Sequence, residues 1–163
     1  MRSSTPVVPT SLSMDLYDQP GHLIRRAQQI AVSAFFDAVG REVTPVQYAV
    51  LRMLQERPGI DQVTLAREVA LDNSTTAEMA VRLEAKGWIH REMLPRRQRA
   101  LSLTADGEAV LAALMPGLRT MNAAMLSRLD EPERAEFMRL LRKFVQLNND
   151  QSRAPLRSTA APD

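Results

Sequence analysis

The residues with the clearest chemical potential are arginines in one short segment of the chain. Arg96, Arg97 and Arg99 lie within four positions, and Arg91 precedes them closely. A guanidinium group binds phosphate or guanine through two parallel hydrogen bonds and stays charged at physiological pH. A basic run is usually only solvated surface. Whether these arginines contact nucleic acid therefore has to be judged from the structural element that carries them.

A second group of candidate residues starts at Ser74. Ser74 and Thr75 open a predicted helix, where small hydroxyls suit close approach to phosphates and base edges. Glu78 could accept a hydrogen bond from a cytosine amino group. The alternative, which is favoured when the two hydroxyls are considered alone, is that Ser74 and Thr75 only cap the helix.

Catalytic and metal chemistry find no support in the sequence. The chain has no cysteine, and His22 and His90 are too far apart to form a metal motif of the H-E-x-x-H kind. No phosphate-binding loop or nucleophile–base motif is present. We therefore expect no catalytic residue, no metal site and no cofactor, and we do not expect an enzyme.

Bulk composition constrains the class of protein only loosely. The 163 residues carry a net charge of +2, so overall charge alone does not indicate nucleic-acid binding. Of the 21 basic residues only Lys86 and Lys143 are lysine. This preference for arginine suits phosphate binding, but a GC-rich genome would produce it as well. No apolar run is long enough for a membrane span, and the N-terminus lacks the order of a secretory signal, so a cytoplasmic protein without membrane contact is expected.

Hydrophobic periodicity predicts a mainly α-helical chain with one β-hairpin. Residues 1–14 and 151–163 are expected to be disordered tails. A first helix is predicted from Leu16 to about Gly40, and a second starts at the pair Thr44-Pro45. Asp61 should cap a third, short helix. After the turn at Leu71-Asp72, Asn73 or Ser74 should cap a fourth, running to Lys86.

The spacing of apolar residues changes after Gly87 from a helical to a strand period, which predicts the hairpin. Two further helices are predicted after it. The hairpin strands are expected at residues 88–94 and 100–104, with the arginines at the tip. A long helix should follow Thr104, with a kink or break at Pro116, and a last one should start at Asp130. Residues 44–103 are therefore predicted to form a winged helix-turn-helix domain, and residues 15–43 with 104–150 a helical dimerisation region.

The position of the hairpin favours DNA contact by the arginines. A basic hairpin directly after two short, tightly joined helices has the arrangement of a recognition helix followed by a wing. Such a wing would reach phosphates or a narrow minor groove. The candidate DNA contacts are Ser74, Thr75, Thr76, Glu78, Arg82, Arg91, Arg96, Arg97 and Arg99.

The stretch from Thr44 to Gly107 resembles the MarR family of bacterial transcription regulators, and the flanking helices extend the likeness from Leu16 to about Asp150. The resemblance implies a homodimer with intertwined terminal helices on pseudo-palindromic double-stranded DNA. Packing within one chain is the competing explanation for the apolar stripes. The matching residues are 65–67, 74–75, 82–89, Arg91, Arg97 and 103–107. Two departures are Pro95, where the family's wing usually has an acidic residue, and Glu78, where many relatives have a basic one.

The resemblance also implies a small-molecule effector, because members of this family often release DNA when an aromatic anion binds. The candidate ligand contacts are Tyr17, His22, Arg25, Arg26, Tyr48 and Arg52. The stretch from Tyr17 to Gln29 is similar to a subgroup of repressors that control nicotinate degradation, which implies a ligand such as 6-hydroxynicotinate. Alternatively, these residues bind phosphate, pair with acidic neighbours or pack the dimer.

These observations predict a dimeric repressor of catabolic genes that is released or modulated by a small aromatic carboxylate. A ligand-independent or architectural DNA-binding protein is the main alternative. A protein–protein module built on a winged helix is a further one, and the arginine hairpin argues against it.

Overall fold

The computed structural model describes residues 15–93 and 99–151, so the N-terminal tail, the hairpin connection 94–98 and residues 152–163 lie outside the described residues. The predicted mainly α-helical fold with a small β-hairpin is confirmed. Short 3-10 turns lie at Leu16–Asp18 and Asn149–Gln151, and the latter includes the first residue of the predicted C-terminal tail. The helices are α1 Pro20–Val39, α2 Pro45–Glu56, α3 Gln62–Glu68, α4 Asn73–Ala85, α5 Ala105–Met125 and α6 Glu131–Leu147.

Side chains that accept hydrogen bonds from backbone N–H groups set the start of most helices. Thr44 and Gln47 form a reciprocal capping box at α2, and Asp61 caps α3, as predicted. Asp130 caps α6 in the same reciprocal manner. The predicted cap of α4 was wrong: Asp72 caps this helix, while Asn73 and Ser74 are its first two residues.

A three-stranded antiparallel sheet follows the helix-turn-helix. Its strands are β1 Ile60–Asp61, β2 Ile89–Met93 and β3 Arg99–Leu103, in the order β1-β3-β2. The hairpin was predicted, and each of its four strand ends differs from the prediction by one residue. Strand β1 was not predicted, since it is two residues long and is defined by pairing with Ala100 and Leu101 of β3.

The core is continuous between the winged part and the flanking helices. One cluster of buried residues contains Leu51, Leu65, Leu83, Leu101 and Leu111, so α5 contributes directly to the winged core. A second, smaller cluster joins α1 to α5. The partly buried side chains that touch both clusters are Tyr48, Trp88 and Val110.

Helix α5 continues through Pro116, so the predicted break is wrong, while a kink at this position stays a prediction. Pro116 is exposed, as is Ala112, whose carbonyl loses its helical donor, so water can replace the missing N–H. The next residue, Gly117, permits a close crossing of α5 and α1. A Cβ atom there would lie 2.6 Å from the carbonyl oxygen of Ala38.

The terminal helices carry apolar side chains without cover in a single chain. Helix α6 has no buried residue, although it is strongly amphipathic. Its exposed apolar side chains are Phe137, Leu140, Leu141, Phe144, Val145 and Leu147. Near the other end, Leu16, Leu23, Ile24 and Ile30 are also exposed. In the part of the chain that the structure describes, no helix is long and apolar enough to cross a membrane.

Candidate nucleic-acid interface and effector region

The N-terminal turn of α4 is organised by the carboxylate of Asp72. One carboxylate oxygen accepts hydrogen bonds from the backbone N–H of Thr75 at 2.8 Å and from the hydroxyl of Ser74 at 2.6 Å. The other accepts from the hydroxyl of Thr75 at 2.7 Å. The hydrogen bonds from Ser74 and Thr75 hold the pKa of Asp72 far below its usual range. The two hydroxyls therefore do serve the cap, while their oxygens lie on the exposed side of the helix.

Thr76 is the one predicted contact on α4 that the structure places in the core. Its side chain is 1% exposed, and its hydroxyl donates to the carbonyl oxygen of Asp72 at 2.8 Å. The assignment of Thr76 to the DNA surface was wrong, because a position two residues after Ser74 turns to the inner face of a helix.

Glu78 and Arg82 share the outer face of α4, one turn apart. Their side chains are 74% and 61% exposed, and the closest pair of charged atoms is 3.7 Å apart. The Nε atom of Arg82 also donates weakly to the Glu78 carbonyl at 3.4 Å. An exposed pair with this geometry contributes little energy, so both side chains remain available to a partner.

Arg91 connects the hairpin to α4 rather than projecting from it. Its Nε and Nη2 atoms both donate to one carboxylate oxygen of Glu84, the former at 2.7 Å. The Arg91 side chain is only 18% exposed. Its hydrogen bond to Glu84 lowers the pKa of that carboxyl. The structure thus places the partly buried Arg91 between the wing and α4, and its contact with DNA stays a prediction.

The end of the wing that adjoins the hairpin connection borders an open cleft of about 680 Å³ between α3, α4 and β3. Arg99, which is exposed at the start of β3, lines this cleft together with Arg67 of α3. Arg67 was not predicted as a contact, although its place in the Leu-Ala-Arg run and its lack of an acidic neighbour at helical spacing could have indicated it. Arg96 and Arg97 lie outside the described residues.

At the start of α1, Tyr17 and His22 form one small aromatic group. Their rings meet edge to face with centroids 5.5 Å apart. The Nε2 atom of His22 is buried and has no hydrogen-bond partner in the described ranges. Arg25 and Arg26 follow at helical spacings of three and four residues, so they share a face with His22, and both are exposed. Neither forms a salt bridge with any residue the structure describes.

Tyr48 and Arg52 belong to a different region within one chain. The Tyr48 ring packs against Phe35 with centroids 5.9 Å apart, and Arg52 pairs with Glu56 at 2.9 Å. Phe35 is 13 residues after His22 on α1, which corresponds to about 20 Å along a helix axis. Within a single chain the six candidate ligand contacts thus lie in two separate groups, and their joint role in ligand binding stays a prediction.

Comparison with known proteins places this architecture in a family. The sequence model of the MarR family matches residues 43–101, which include the helix-turn-helix and most of the wing. The transcriptional regulator HosA of Escherichia coli O111:H- is 40% identical over 106 residues, which cover 64% of this chain and 78% of HosA. The chain belongs to the MarR family.

Two solved structures of MarR-like regulators extend the likeness to most of the chain. PcaV from Streptomyces coelicolor in complex with its natural ligand is 37% identical, with a TM-score of 0.77, covering 83% of this chain and 97% of PcaV. BpsR from Bordetella bronchiseptica, whose DNA binding is regulated by 6-hydroxynicotinic acid, is 29% identical, with a TM-score of 0.72, covering 77% and 93%. This MarR-family chain is accordingly a transcriptional regulator.

Membership of the MarR family allows the ion pair between Glu84 and Arg91 to be compared with the usual sequence of the wing. The usual acidic residue near the wing tip is replaced by Pro95, which lies outside the described residues. Glu84 of the recognition helix instead supplies a carboxylate to the hairpin, at Arg91. In this MarR-family member the C-terminal part of α4 is thus connected to the middle of β2.

Proposed function

We propose that the protein is a dimeric repressor of catabolic genes, which binds a pseudo-palindromic operator and responds to a small aromatic carboxylate such as 6-hydroxynicotinate. Each subunit inserts α4 into a major groove, while the wing arginines bind the flanking backbone or minor groove. Bound at a promoter, the dimer blocks transcription. The single observation that carries the proposal is the outer face of α4. Its polar and charged side chains are exposed and retain hydrogen-bonding capacity that contacts within the chain do not satisfy.

Support for DNA binding comes from Ser74, Thr75, Glu78 and Arg82. Three of these side chains are exposed and Thr75 is partly so, and all lie on one side of α4. Arg99 and Arg67 line the cleft between this helix and the wing, where positive charge can follow a phosphate backbone. Arg96 and Arg97 are proposed to extend the positive surface along the hairpin.

Support for a homodimer comes from the apolar faces of the terminal helices. Phe144 is 47% exposed, and Leu140 is 49% exposed, on a helix with no buried residue. Contiguous apolar area of this kind normally marks an interface. A second copy that packs its own terminal helices against these faces also gives the two-fold symmetry that a pseudo-palindrome requires.

Support for an aromatic carboxylate comes from the chemistry at the start of α1. Arg25 and Arg26 can bind a carboxylate bidentately, and the buried, unpartnered Nε2 of His22 can bond to a polar group on the ligand. Tyr17 offers a ring for an edge or stacking contact. Tyr48 and Arg52 would join this site only if the partner copy brings them to it.

The ligand part of the proposal is tested by fluorescence anisotropy on a DNA duplex that the protein binds selectively, titrated with 6-hydroxynicotinate. The wild type should change its DNA affinity, while His22→Ala and Arg26→Ala should keep their DNA affinity and lose the response. Arg128→Ala, a change in another exposed arginine, is the matched control. If both variants respond like the wild type, this pocket assignment is wrong. If the wild type itself does not respond to aromatic acids, the ligand-independent alternative stands.

A further inference from the structure

The hydrogen bonds at the start of α4 fix the direction of two hydroxyl groups. A serine or threonine hydroxyl has one hydrogen to donate and two lone pairs that accept. Ser74 and Thr75 both donate their hydrogen to Asp72, at 2.6 Å and 2.7 Å. The pKa of the Asp72 carboxyl lies far below its usual range, so this group is ionised at neutral pH and cannot donate in return. The outward-facing oxygens of Ser74 and Thr75 are therefore left as acceptors.

Glu78 continues the same pattern one helical turn later. It lies four residues after Ser74 and three after Thr75, so the three side chains share one face of α4. Its carboxylate is 74% exposed, and its only ion pair within residues 15–93 and 99–151 is the loose 3.7 Å contact with Arg82. An ionised carboxylate only accepts hydrogen bonds. The N-terminal half of the outer face thus presents acceptors at all three positions, with negative charge at Glu78 and Asp72.

A helix face whose side chains only accept hydrogen bonds is complementary to groups on DNA that donate them. Phosphate oxygens are themselves acceptors, so the side chains of Ser74, Thr75 and Glu78 in this arrangement have no hydrogen to donate to them. In the major groove guanine presents two acceptors and thymine an acceptor and a methyl group, whereas cytosine N4 and adenine N6 carry amino groups that donate. We propose, on the basis of the proposed operator binding, that Ser74, Thr75 and Glu78 read exocyclic amino groups of cytosine or adenine in the major groove. Operator specificity at these positions then depends on amino groups and not on guanine.

Arg82 marks the end of this acceptor face. Its guanidinium is 61% exposed, lies one turn beyond Glu78 and only donates hydrogen bonds. Bases that face the C-terminal half of α4 are therefore a separate set, for which guanine is the matching partner. Side chains on α4 thus change from acceptors at its N-terminal half to a donor at Arg82. The experiment can therefore assign each base position to one or the other.

The experiment uses the full chain and an operator selected by it from a random duplex pool. Each cytosine is replaced in turn by the pyrimidin-2-one nucleoside, and each adenine by unsubstituted purine, because both analogues replace only the amino group by hydrogen. Each guanine is replaced by 7-deazaguanine, which removes the N7 acceptor. Kd is measured by anisotropy for the wild type, for Glu78→Ala, and for Asp37→Asn, which removes an exposed carboxylate on a different helix, α1.

At one or more positions in each half-site, loss of an amino group should weaken wild-type binding on the order of tenfold, since a good base contact contributes on that scale. At one of those positions the loss should disappear in Glu78→Ala and persist in Asp37→Asn. The inference is overturned if no amino deletion changes the wild-type Kd beyond about twofold, or if every penalty is the same in Glu78→Ala. A pool in which no sequence is enriched would instead overturn the proposed function, on which the inference rests.

Discussion

Asp61 and Asp72 each accept hydrogen bonds from the first turn of the helix that follows them, α3 and α4 respectively. Both carboxylates thereby position side chains at the candidate interface: Thr64 beside the cleft, and Ser74 with Thr75 on the recognition helix. A cap of this kind is a local structural role, and it also determines which hydrogen-bonding groups remain available to DNA. The capping role and the binding role of Ser74 and Thr75 are therefore compatible.

At Asp61 we expect a stability effect with a defined dependence on pH. Burial raises the pKa of this carboxyl, but hydrogen bonds from Thr64 and Val63 outweigh burial and bring it below its ordinary value of 3.8. The carboxylate therefore stabilises the folded state above pH 3.8, and this contribution is lost as the pH falls through the lower folded-state pKa. Asp61→Ala should lower the free energy of unfolding by about 1 kcal/mol at pH 7.

Urea denaturation at several pH values measures this effect. Asp61→Ser, which retains an acceptor for the same backbone N–H groups, is the matched control and should lose less stability than the alanine variant. The difference between wild type and Asp61→Ala should narrow below pH 3.8. A difference that grows in acid would contradict the assignment.

Thr76→Val tests the corrected position of Thr76. Valine has nearly the same shape, but it cannot donate to the Asp72 carbonyl, so unfolding should become easier by about 1 kcal/mol. DNA affinity of the folded variant should stay within about twofold, because the side chain is buried. The parallel substitution Thr75→Val removes a group on the outer face and should weaken DNA binding. Equal losses of DNA affinity in the two variants would contradict the buried position of Thr76 and support its original assignment to the DNA interface.

At the scale of elements, the wing and the recognition helix are coupled through Glu84 and Arg91. The pair joins the end of α4 to the middle of β2, and Arg91 lies opposite the fully buried Leu101 of β3. The middle of the hairpin is thus fixed by the core at Leu101 and by the ion pair at Arg91. A wing held in this way presents its arginines to DNA at a defined angle.

Salt dependence distinguishes this positioning role from direct phosphate contact. Glu84→Gln should weaken DNA binding but leave the slope of log K against log salt unchanged, because no phosphate contact is lost. Arg97→Ala should weaken binding and reduce the slope by about one unit, as expected for one lost phosphate contact. Equilibrium titrations at several salt concentrations measure both. A reduced slope in Glu84→Gln, or an unchanged one in Arg97→Ala, would contradict these roles.

The elements themselves were largely predictable from local sequence signals. Thr44-Pro45, Asp61 and Asp130 start helices at the predicted positions, because capping depends on a few neighbouring residues. Strand β1 could not be predicted, since its pairing partner Leu101 is distant in sequence. The continuity of α5 through Pro116 depends on which side of the helix faces solvent. The pairing of Arg91 with Glu84 depends on tertiary packing, so the sequence suggested a surface contact instead.

At the scale of the whole molecule, α1 and α5 share buried clusters with the winged part, whereas α6 contributes no buried residue. Leu51, Leu83 and Leu101 are fully buried, while six large apolar side chains of α6, between Phe137 and Leu147, remain at least two fifths exposed. Exposure of that extent on an amphipathic helix is costly in water. The proposed dimer removes this cost and sets the distance between the two recognition helices, which a bound effector can then change.

Substitutions on opposite faces of α6 test the dimer. Phe144→Glu places a charge on the apolar face and should produce a monomer or a partly unfolded chain, because the charge would be buried at the interface. Arg142→Glu changes an exposed charged residue of the same helix and should leave the dimer intact. Sedimentation equilibrium with circular dichroism measures mass and folding together. A wild type that is monomeric at micromolar concentration would contradict the dimer.

The central claim is sequence-selective binding of DNA by the dimer, and the most direct test is affinity selection from a fragmented genomic DNA pool followed by sequencing. The account predicts enrichment of a small number of fragments that share an inverted repeat, with half-site centres about one helical turn apart. Anisotropy on the enriched duplex and on a scrambled duplex should then differ by at least about 1,000-fold in Kd at physiological salt. A pool without any enriched sequence, or equal affinity for the scrambled duplex, would contradict it.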